Sequence, residues 1–166
     1  MRIKILILLV IASLFSGCTA LKQTTVMLNY PISDYMYVYI TPTSEKNSVE
    51  GATIGGYYGI YGATTTYSVN PMDIISGHFI NNGYIRVPEI KPENANKTII
   101  VNYGEVKSGY YIDLYHGISI VIQMISADDN EIICVCEAEG KGNNDAEAVN
   151  NAIDRCMDDF FRKINQ

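Results

Sequence analysis

The last third of the sequence combines a strand pair with a long one-sided helix, and this combination restricts the fold more than any other feature. Ile118, Ile120, Ile122 and Met124 alternate with other residues, and a polar turn at 127–130 leads into Glu131–Ala138. This pattern predicts a β-hairpin. Asn144 and Glu147 have capping-box spacing at the start of a helix whose apolar residues recur at helical intervals. These residues are Ala146, Val149, Ile153, Cys156, Phe160 and Ile164.

The segment Asp34–Thr41 has the clearest strand pattern in the first half of the chain. Strict alternation predicts that Met36, Val38 and Ile40 face the core. The opposite face of this strand then carries the three tyrosines Tyr35, Tyr37 and Tyr39. A strand with one apolar face belongs to a sheet that is covered on one side. The tyrosine side is therefore either exposed to solvent or covered by another surface.

A second helix is predicted to begin after Asn70, which can cap it, with Pro71 in the first turn. Its inward side consists of Met72, Ile75, Phe79 and Ile80. Gly83 can adopt the left-handed backbone conformation that ends a helix. The short strand candidates Tyr84–Val87 and Thr98–Tyr103 follow. The predicted fold is therefore α+β, an antiparallel or mixed sheet with two helices packed on one face as a two-layer sandwich. Residues 31–166 are expected to form this single domain.

Residues 42–70 interrupt the pattern and predict a loop rich in glycine and tyrosine. The segment around Tyr57, Tyr58 and Tyr61 is too apolar to be a linker that is simply surrounded by water. The loop either folds back over its own sheet or contacts a partner, a glycan or a membrane. It lacks the G-K-[ST] ending and the G-x-G-x-x-G spacing of phosphate-binding loops, so no nucleotide cofactor is expected.

The amino terminus has the three parts of an export signal: basic Arg2 and Lys4, an apolar run, and small residues before Cys18. The apolar run is shorter than the roughly 20 residues that a spanning helix needs. Phe15-Ser16-Gly17-Cys18 resembles the lipobox of bacterial lipoproteins. This resemblance implies a signal peptide at 1–17, cleavage before Cys18, and lipidation of its sulfur with acyl chains such as palmitate.

By the same resemblance, residues 18–30 form a lipidated tether that holds the protein to a membrane without a spanning helix. Thr19 differs from the aspartate typical of inner-membrane retention, so the expected location is the outer membrane, facing the periplasm. Loss of Arg2 and Lys4 with the leader takes the net charge from −6 to −8. Nucleic acid is therefore not an expected partner, because such binding needs a basic face.

The cysteines, histidines and acidic turns do not form a recognisable catalytic or metal site. Cys134 and Cys136 are two residues apart in a predicted strand, so their side chains point to the same face. The apolar side of the final helix, which carries Cys156, is expected to pack on that face, so a disulfide from Cys156 to either cysteine is possible. Buried free thiols are the favoured interpretation. Asp113 and His116 have no nucleophile beside them in any known motif. Asp128 and Asp129 lack the ligand spacing of a calcium loop. No catalytic residue, metal or cofactor is predicted.

Residues 71–163 resemble a type of small periplasmic lipoprotein domain, similar to the amino-terminal domain of TolB and to the curli-secretion lipoprotein group. The resemblance rests on a helix ending at Gly83, a hairpin with an acidic turn before Ile132, and the terminal amphipathic helix. It implies an envelope location and transfers no site. The expected function is non-enzymatic binding of an envelope protein through the tyrosines named above. The alternative is a glycan- or lipid-binding module lined by the same residues.

Overall fold

The described part of the chain is built around one six-stranded mixed sheet. The computed structural model describes residues 21–56, 59–110 and 116–166, with side chains described at 21–48, 66–106 and 117–166. The predicted signal peptide and Cys18 lie outside the described residues. The strands are β1 Thr25–Leu28, β2 Tyr37–Ile40, β3 Lys46–Gly56, β4 Gly59–Val69, β5 Ile85–Arg86, β6 Thr98–Tyr110, β7 His116–Ser126 and β8 Ile132–Gly142. The α-helices are α1 Pro71–Asn81 and α2 Asp145–Ile164, and a 3₁₀ helix spans Pro92–Lys97.

The strand order of the sheet is β1-β8-β7-β6-β2-β5, and β3 pairs with β4 in a separate two-stranded sheet. The pairs β1–β8, β8–β7 and β7–β6 are antiparallel, whereas β2 pairs in parallel with both β6 and β5. Both helices pack on one side of the large sheet, where the buried core lies. The predicted α+β two-layer sandwich is therefore confirmed. Within the described residues, no helix is long and apolar enough to cross a bilayer.

Helix α1 begins and ends as the sequence predicts. The Met72 amide donates to Asn70 Oδ1 over 3.1 Å, Pro71 occupies the first turn, and Gly83 adopts φ +89°. Phe79 is completely buried. The prediction that Ile80 widens the inward side is wrong, because its side chain is 53% exposed. A residue next to Phe79 is rotated by about 100° around the helix axis, which takes it past the edge of the buried stripe.

Helix α2 supplies most of the helical layer. Asn144 Oδ1 accepts from the Glu147 amide at 2.9 Å, as predicted, and Glu147 Oε2 accepts from the Asn143 amide at 2.8 Å. The predicted apolar side is buried from Ala146 to Phe160, with Ile164 half-buried against the core. Phe79 joins the two helices through an edge-to-face contact with Phe161, with ring centroids 5.4 Å apart.

Glycines on β8 bring this strand unusually close to α2. A Cβ added at Gly140 would lie 2.0 Å from the Ala148 carbonyl oxygen and 2.6 Å from the Ala152 amide nitrogen. A Cβ at Gly142 would lie 2.5 Å from the Ala148 nitrogen. The strand and helix backbones therefore touch directly, which only residues without a side chain allow.

Several sequence-based boundaries are corrected by the structure. Part of the predicted tether, Thr25–Leu28, forms β1, because Val26 and Leu28 alternate inwards beside β8. The predicted loop at 42–70 instead contains the β3–β4 hairpin, whose strands pair from Lys46–Val69 to Gly56–Gly59. Strand β6 also continues to Tyr110, beyond the predicted end at Tyr103.

Two of the three described cysteines form a disulfide, which corrects the favoured interpretation of buried free thiols. Cys136 on β8 and Cys156 on α2 are bonded, with Cα atoms 5.9 Å apart. This separation lies within the range that disulfides use. Cys134 is free and buried, and burial raises the pKa of its thiol to about 11. The Cys134 side chain is therefore a protonated core residue near neutral pH.

We expect reduction of the Cys136–Cys156 disulfide to lower the free energy of unfolding by about 3 kcal/mol, because the cross-link closes a loop of about 20 residues. Urea unfolding followed by circular dichroism, with and without dithiothreitol, measures this difference. Cys134→Ala is the matched control and should keep the full sensitivity to dithiothreitol. Two additional reactive thiols in the unreduced, denatured protein would contradict the pairing.

Candidate interaction surface

The side of the large sheet opposite the helices carries the sequence-predicted tyrosines of β2. Val38 and Ile40 are buried on the helix side, as predicted, so Tyr37 and Tyr39 lie on the open side. Both tyrosines are half-buried among their strand neighbours. Tyr37 is in register with Ile85 of β5, whose side chain is 50% exposed. The predicted tyrosine face therefore exists at these two positions.

Apolar residues continue this face across the middle of the sheet. Tyr39 is in register with Ile100, Ile100 with Ile125, and Ile125 with Ile132. Directly opposed residues of neighbouring strands share one face of a sheet. A second apolar pair, Val135 with Met27, lies towards the β1 edge. We call the residues of this surface the open face: Met27, Tyr37, Tyr39, Ile85, Ile100, Val121, Ile125, Ile132 and Val135.

Exposure within the open face is greatest near the strands that form its edges. Met27 on the edge strand β1 is 55% exposed and Ile85 on the edge strand β5 is 50% exposed, whereas Ile132 on β8 is 39% exposed. Asn102 and Gln123, which are in register with each other, place two amides within the same face. Glu137 is exposed beside Val135 on β8. The face thus combines an apolar row with polar flanks.

Two residues of the predicted tyrosine strand are placed differently. Tyr35 is packed against the hydrophobic core and does not join Tyr37 and Tyr39. Met36 was expected in the core, but its side chain is 47% exposed. The regular strand begins only at Tyr37, after a turn at Ser33–Asp34, so the alternation does not extend back to these residues. Ile32 occupies the core before the turn.

The other three tyrosines predicted for binding belong to the β3–β4 hairpin. Tyr57 and Tyr58 lie outside the described residues, and Tyr61 is in register with Ile54 on the neighbouring strand. Both hairpin strands contact α2, which covers the opposite side of the sheet from the open face. The alternative in which the loop covers the tyrosine face stays a prediction, because the tip of the hairpin lies outside the described residues.

The titratable groups of the described residues mainly serve structural contacts. His78 Nε2 lies 2.9 Å from Asp154 Oδ1 and bridges α1 to α2. The Tyr103 hydroxyl donates to Glu105 Oε1 at 3.2 Å, and burial together with this carboxylate raises the pKa of Tyr103. Asp113 lies outside the described residues. No cluster of three or more possible metal ligands occurs among the residues that are described.

A groove beside the open face lies where β2 meets β5. Its volume is about 360 Å³, and its lining includes Tyr39, Met72 and Arg86 together with Pro42, Val87 and Pro88. Arg86 is held by the Ser76 hydroxyl and the Met72 sulfur, and its Nη1 lies 3.6 Å from Asp73 Oδ1. Sequence reasoning missed this groove because its residues come from separate segments that only the parallel β2–β5 pairing brings together.

The comparisons with known proteins identify a shared fold. A variant PelC dodecamer from Paraburkholderia phytofirmans matches with a TM-score of 0.50 at 7% sequence identity, covering 86% of this chain and 98% of that one. A second PelC dodecamer from the same organism matches with a TM-score of 0.47 at 10% identity, covering 82% and 93%. No family model and no curated protein sequence matches this chain. The resemblance to TolB and curli-secretion domains stays a prediction.

Proposed function

We propose that this protein is a non-enzymatic lipoprotein of the cell envelope that binds a partner protein through the open face. The observation that carries the proposal is the continuous row from Tyr39 through Ile100 and Ile125 to Ile132 on the side of the sheet opposite α1 and α2. When a partner covers a row of apolar side chains and removes them from water, the free energy of the complex is lowered. Tyrosine adds contact area with little loss of side-chain entropy.

The envelope location and the anchor depend on the amino-terminal sequence. The basic start, the apolar run and the lipobox-like residues before Cys18 support export and acylation. We place the mature protein at the outer membrane, facing the periplasm. The absence of a nucleophile and base in any recognised sequence motif supports a binding role.

Site-directed photo-cross-linking in intact cells tests the open face. We expect p-benzoylphenylalanine in place of Tyr39 or Met27 to yield cross-links to an envelope protein, because both positions lie in the proposed contact. The matched control replaces Asp158, which is exposed on α2 on the other side of the domain. Equal cross-linking from Tyr39 and Asp158 would contradict a specific role for the open face. A cross-link to a second copy would assign this face to self-association.

The groove lined by Tyr39 and Arg86 favours a second candidate function, the binding of a small glycan or lipid. Its volume of about 360 Å³ falls within the range of ligand pockets. An aromatic ring beside a guanidinium suits stacking on a sugar or contact with an anionic headgroup. Native mass spectrometry of protein extracted from membranes separates the two candidates, because a ligand-binding module should carry a small molecule that Arg86→Ala and Tyr39→Ala release.

A further inference from the structure

Most of the predicted tether is bound to the domain, beginning at Lys22. Arg155 on α2 joins this point to β8, because its Nη2 donates to the Lys22 carbonyl oxygen at 2.8 Å and its Nη1 donates to the Glu139 carbonyl oxygen. The Lys22 amide donates to Glu139 Oε2 at 3.2 Å, and the Lys22 ammonium lies 3.5 Å from Glu139 Oε1. The side chains of Arg155 and Glu139 therefore fix the chain where it reaches the sheet.

The segment that follows is held along its whole length. Strand β1 is the outermost strand of the sheet and pairs with β8. Lys163 Nζ on α2 donates to the Val26 carbonyl oxygen at 2.6 Å, and the Asn29 amide donates to the Ile133 carbonyl oxygen at 2.8 Å. Residues 22–29 thus belong to the domain. We call the three side chains that hold the start of this segment the entry clamp: Glu139, Arg155 and Lys163.

The entry clamp shortens the free chain between the proposed anchor and the domain. Four residue steps separate Cys18 from Lys22, and at full extension they span about 14 Å. If the whole predicted tether at 18–30 were free, its residue steps would span about 40 Å. The residue that carries the lipid therefore lies within about 14 Å of the clamped Lys22.

The open face begins on the clamped strand. Met27 lies on β1, its side chain is 55% exposed, and it follows Lys22 by five residues. At the rise of a β-strand, these five steps cover about 17 Å. Met27 therefore stays within about 31 Å of the lipid-bearing residue in every orientation of the domain. This edge of the open face works close to the bilayer that holds the anchor.

We propose that the partner of the open face is a protein held in the same membrane as the lipid on Cys18. This inference rests on the proposed function, both on its partner contact and on lipidation. A short connection raises the effective concentration of two surfaces that are confined to one membrane, and a freely diffusing partner does not share this gain. The nearby bilayer also restricts the approach of a soluble protein to the β1 edge.

A spacer between the anchor and the entry clamp tests the proposal in intact cells. About 20 glycine and serine residues, which form a flexible chain, are inserted between Ala20 and Leu21 of the full-length chain with p-benzoylphenylalanine at position 27. The free chain then grows from four residue steps to about 24, and effective concentration falls with about the −3/2 power of length, so we expect about 15-fold less cross-linked product. The matched control carries the same spacer after Gln166.

The partner itself is identified by mass spectrometry of the cross-linked product. We expect a protein that fractionates with the membrane in cells that lack the present chain. Membrane fractionation of the parent and of both spacer variants is measured in parallel, so that loss of the anchor is detected separately from loss of the contact.

Arg155→Ala tests the entry clamp without any partner. Hydrogen bonds from a charged group contribute enough that we expect the amides of residues 23–28 to exchange with deuterium about tenfold faster. The matched control is Arg162→Ala, because Arg162 lies on the same helix and pairs with Asp159. Hydrogen-exchange mass spectrometry of the full-length protein in detergent compares the two variants. If Arg155→Ala unfolds, as judged by circular dichroism, Lys163→Ala provides the measurement.

The outcomes separate this inference from the proposed function. A cross-link to a membrane protein that is lost with the amino-terminal spacer, and kept with the carboxy-terminal one, supports the proposal. A cross-link that persists with both spacers, or that joins a soluble protein, overturns the proposal and leaves the open face as the contact. Equal exchange in the clamp variant and in Arg162→Ala also overturns it. A parent protein that forms no cross-link, or that leaves the membrane fraction, overturns the proposed function and this inference together.

Discussion

Gly140→Ala should lower the free energy of unfolding by about 3 kcal/mol or more and leave little folded protein at 37 °C. The new Cβ would lie 2.0 Å from the Ala148 carbonyl oxygen and 2.6 Å from the Ala152 amide nitrogen. Both atoms belong to the backbone of α2, so no side-chain rotation relieves the contact. Overpacking of a core typically costs about 1–3 kcal/mol, and displacement of a helix backbone lies at the upper end of this range.

The matched control is Gly104→Ala. Gly104 also lies in a strand of the same sheet, but a Cβ there has no neighbouring atom within 4 Å. We expect this variant to change stability by less than about 0.5 kcal/mol, as is usual for surface positions. Urea unfolding followed by circular dichroism compares both variants with the parent protein. Equal stability of Gly140→Ala and Gly104→Ala would show that α2 does not contact β8 as described.

The carboxy-terminal half of the fold could be predicted because its hydrophobic periodicity and its helix-capping residues indicate the same strands and helices. Ile118–Met124 alternates with period two, and the apolar residues of α2 recur with helical period on one side. Asn70 and Asn144 occupy the helix caps that the sequence indicates. In these segments, local propensity and burial favour the same structure.

The amino-terminal half was predicted less well because its strands depend on partners distant in sequence. Strand β1 has four residues, and its pairing with β8 spans more than 100 residues. The β3–β4 hairpin contains many glycines, which lower strand propensity. A single sequence cannot show that two weak strands pair with each other.

The candidate site was predicted in part. Alternation in β2 correctly placed Tyr37 and Tyr39 opposite Val38 and Ile40. It could not show that the Ser33–Asp34 turn interrupts the strand before Tyr35, which packs against the core instead of joining the open face. The row through Ile100, Ile125 and Ile132 depends on strand order and register, which are tertiary properties. Its residues lie too far apart in sequence for periodicity to connect them.

Cys18→Ala should transfer the protein from the membrane fraction to the soluble envelope fraction almost completely. By the lipobox resemblance, the anchor has two acyl chains. Each buried CH₂ contributes about 0.8 kcal/mol, so two chains hold a protein stably whereas weaker contacts bind reversibly. Fractionation with immunoblotting measures the distribution, and intact mass spectrometry of the parent protein should show a diacylglycerol on the sulfur of Cys18 at the start of the mature chain.

Cys134→Ala is the control for this experiment, because it removes a buried thiol without touching the proposed anchor. It should remain with the membrane. The domain without its anchor is expected to leave the membrane, because a net charge of −6, or −8 after cleavage, opposes approach to anionic lipids. Persistent membrane association of Cys18→Ala, with residues 1–17 shown by mass spectrometry to be removed, would show that a partner protein, and not a lipid, holds this domain at the membrane.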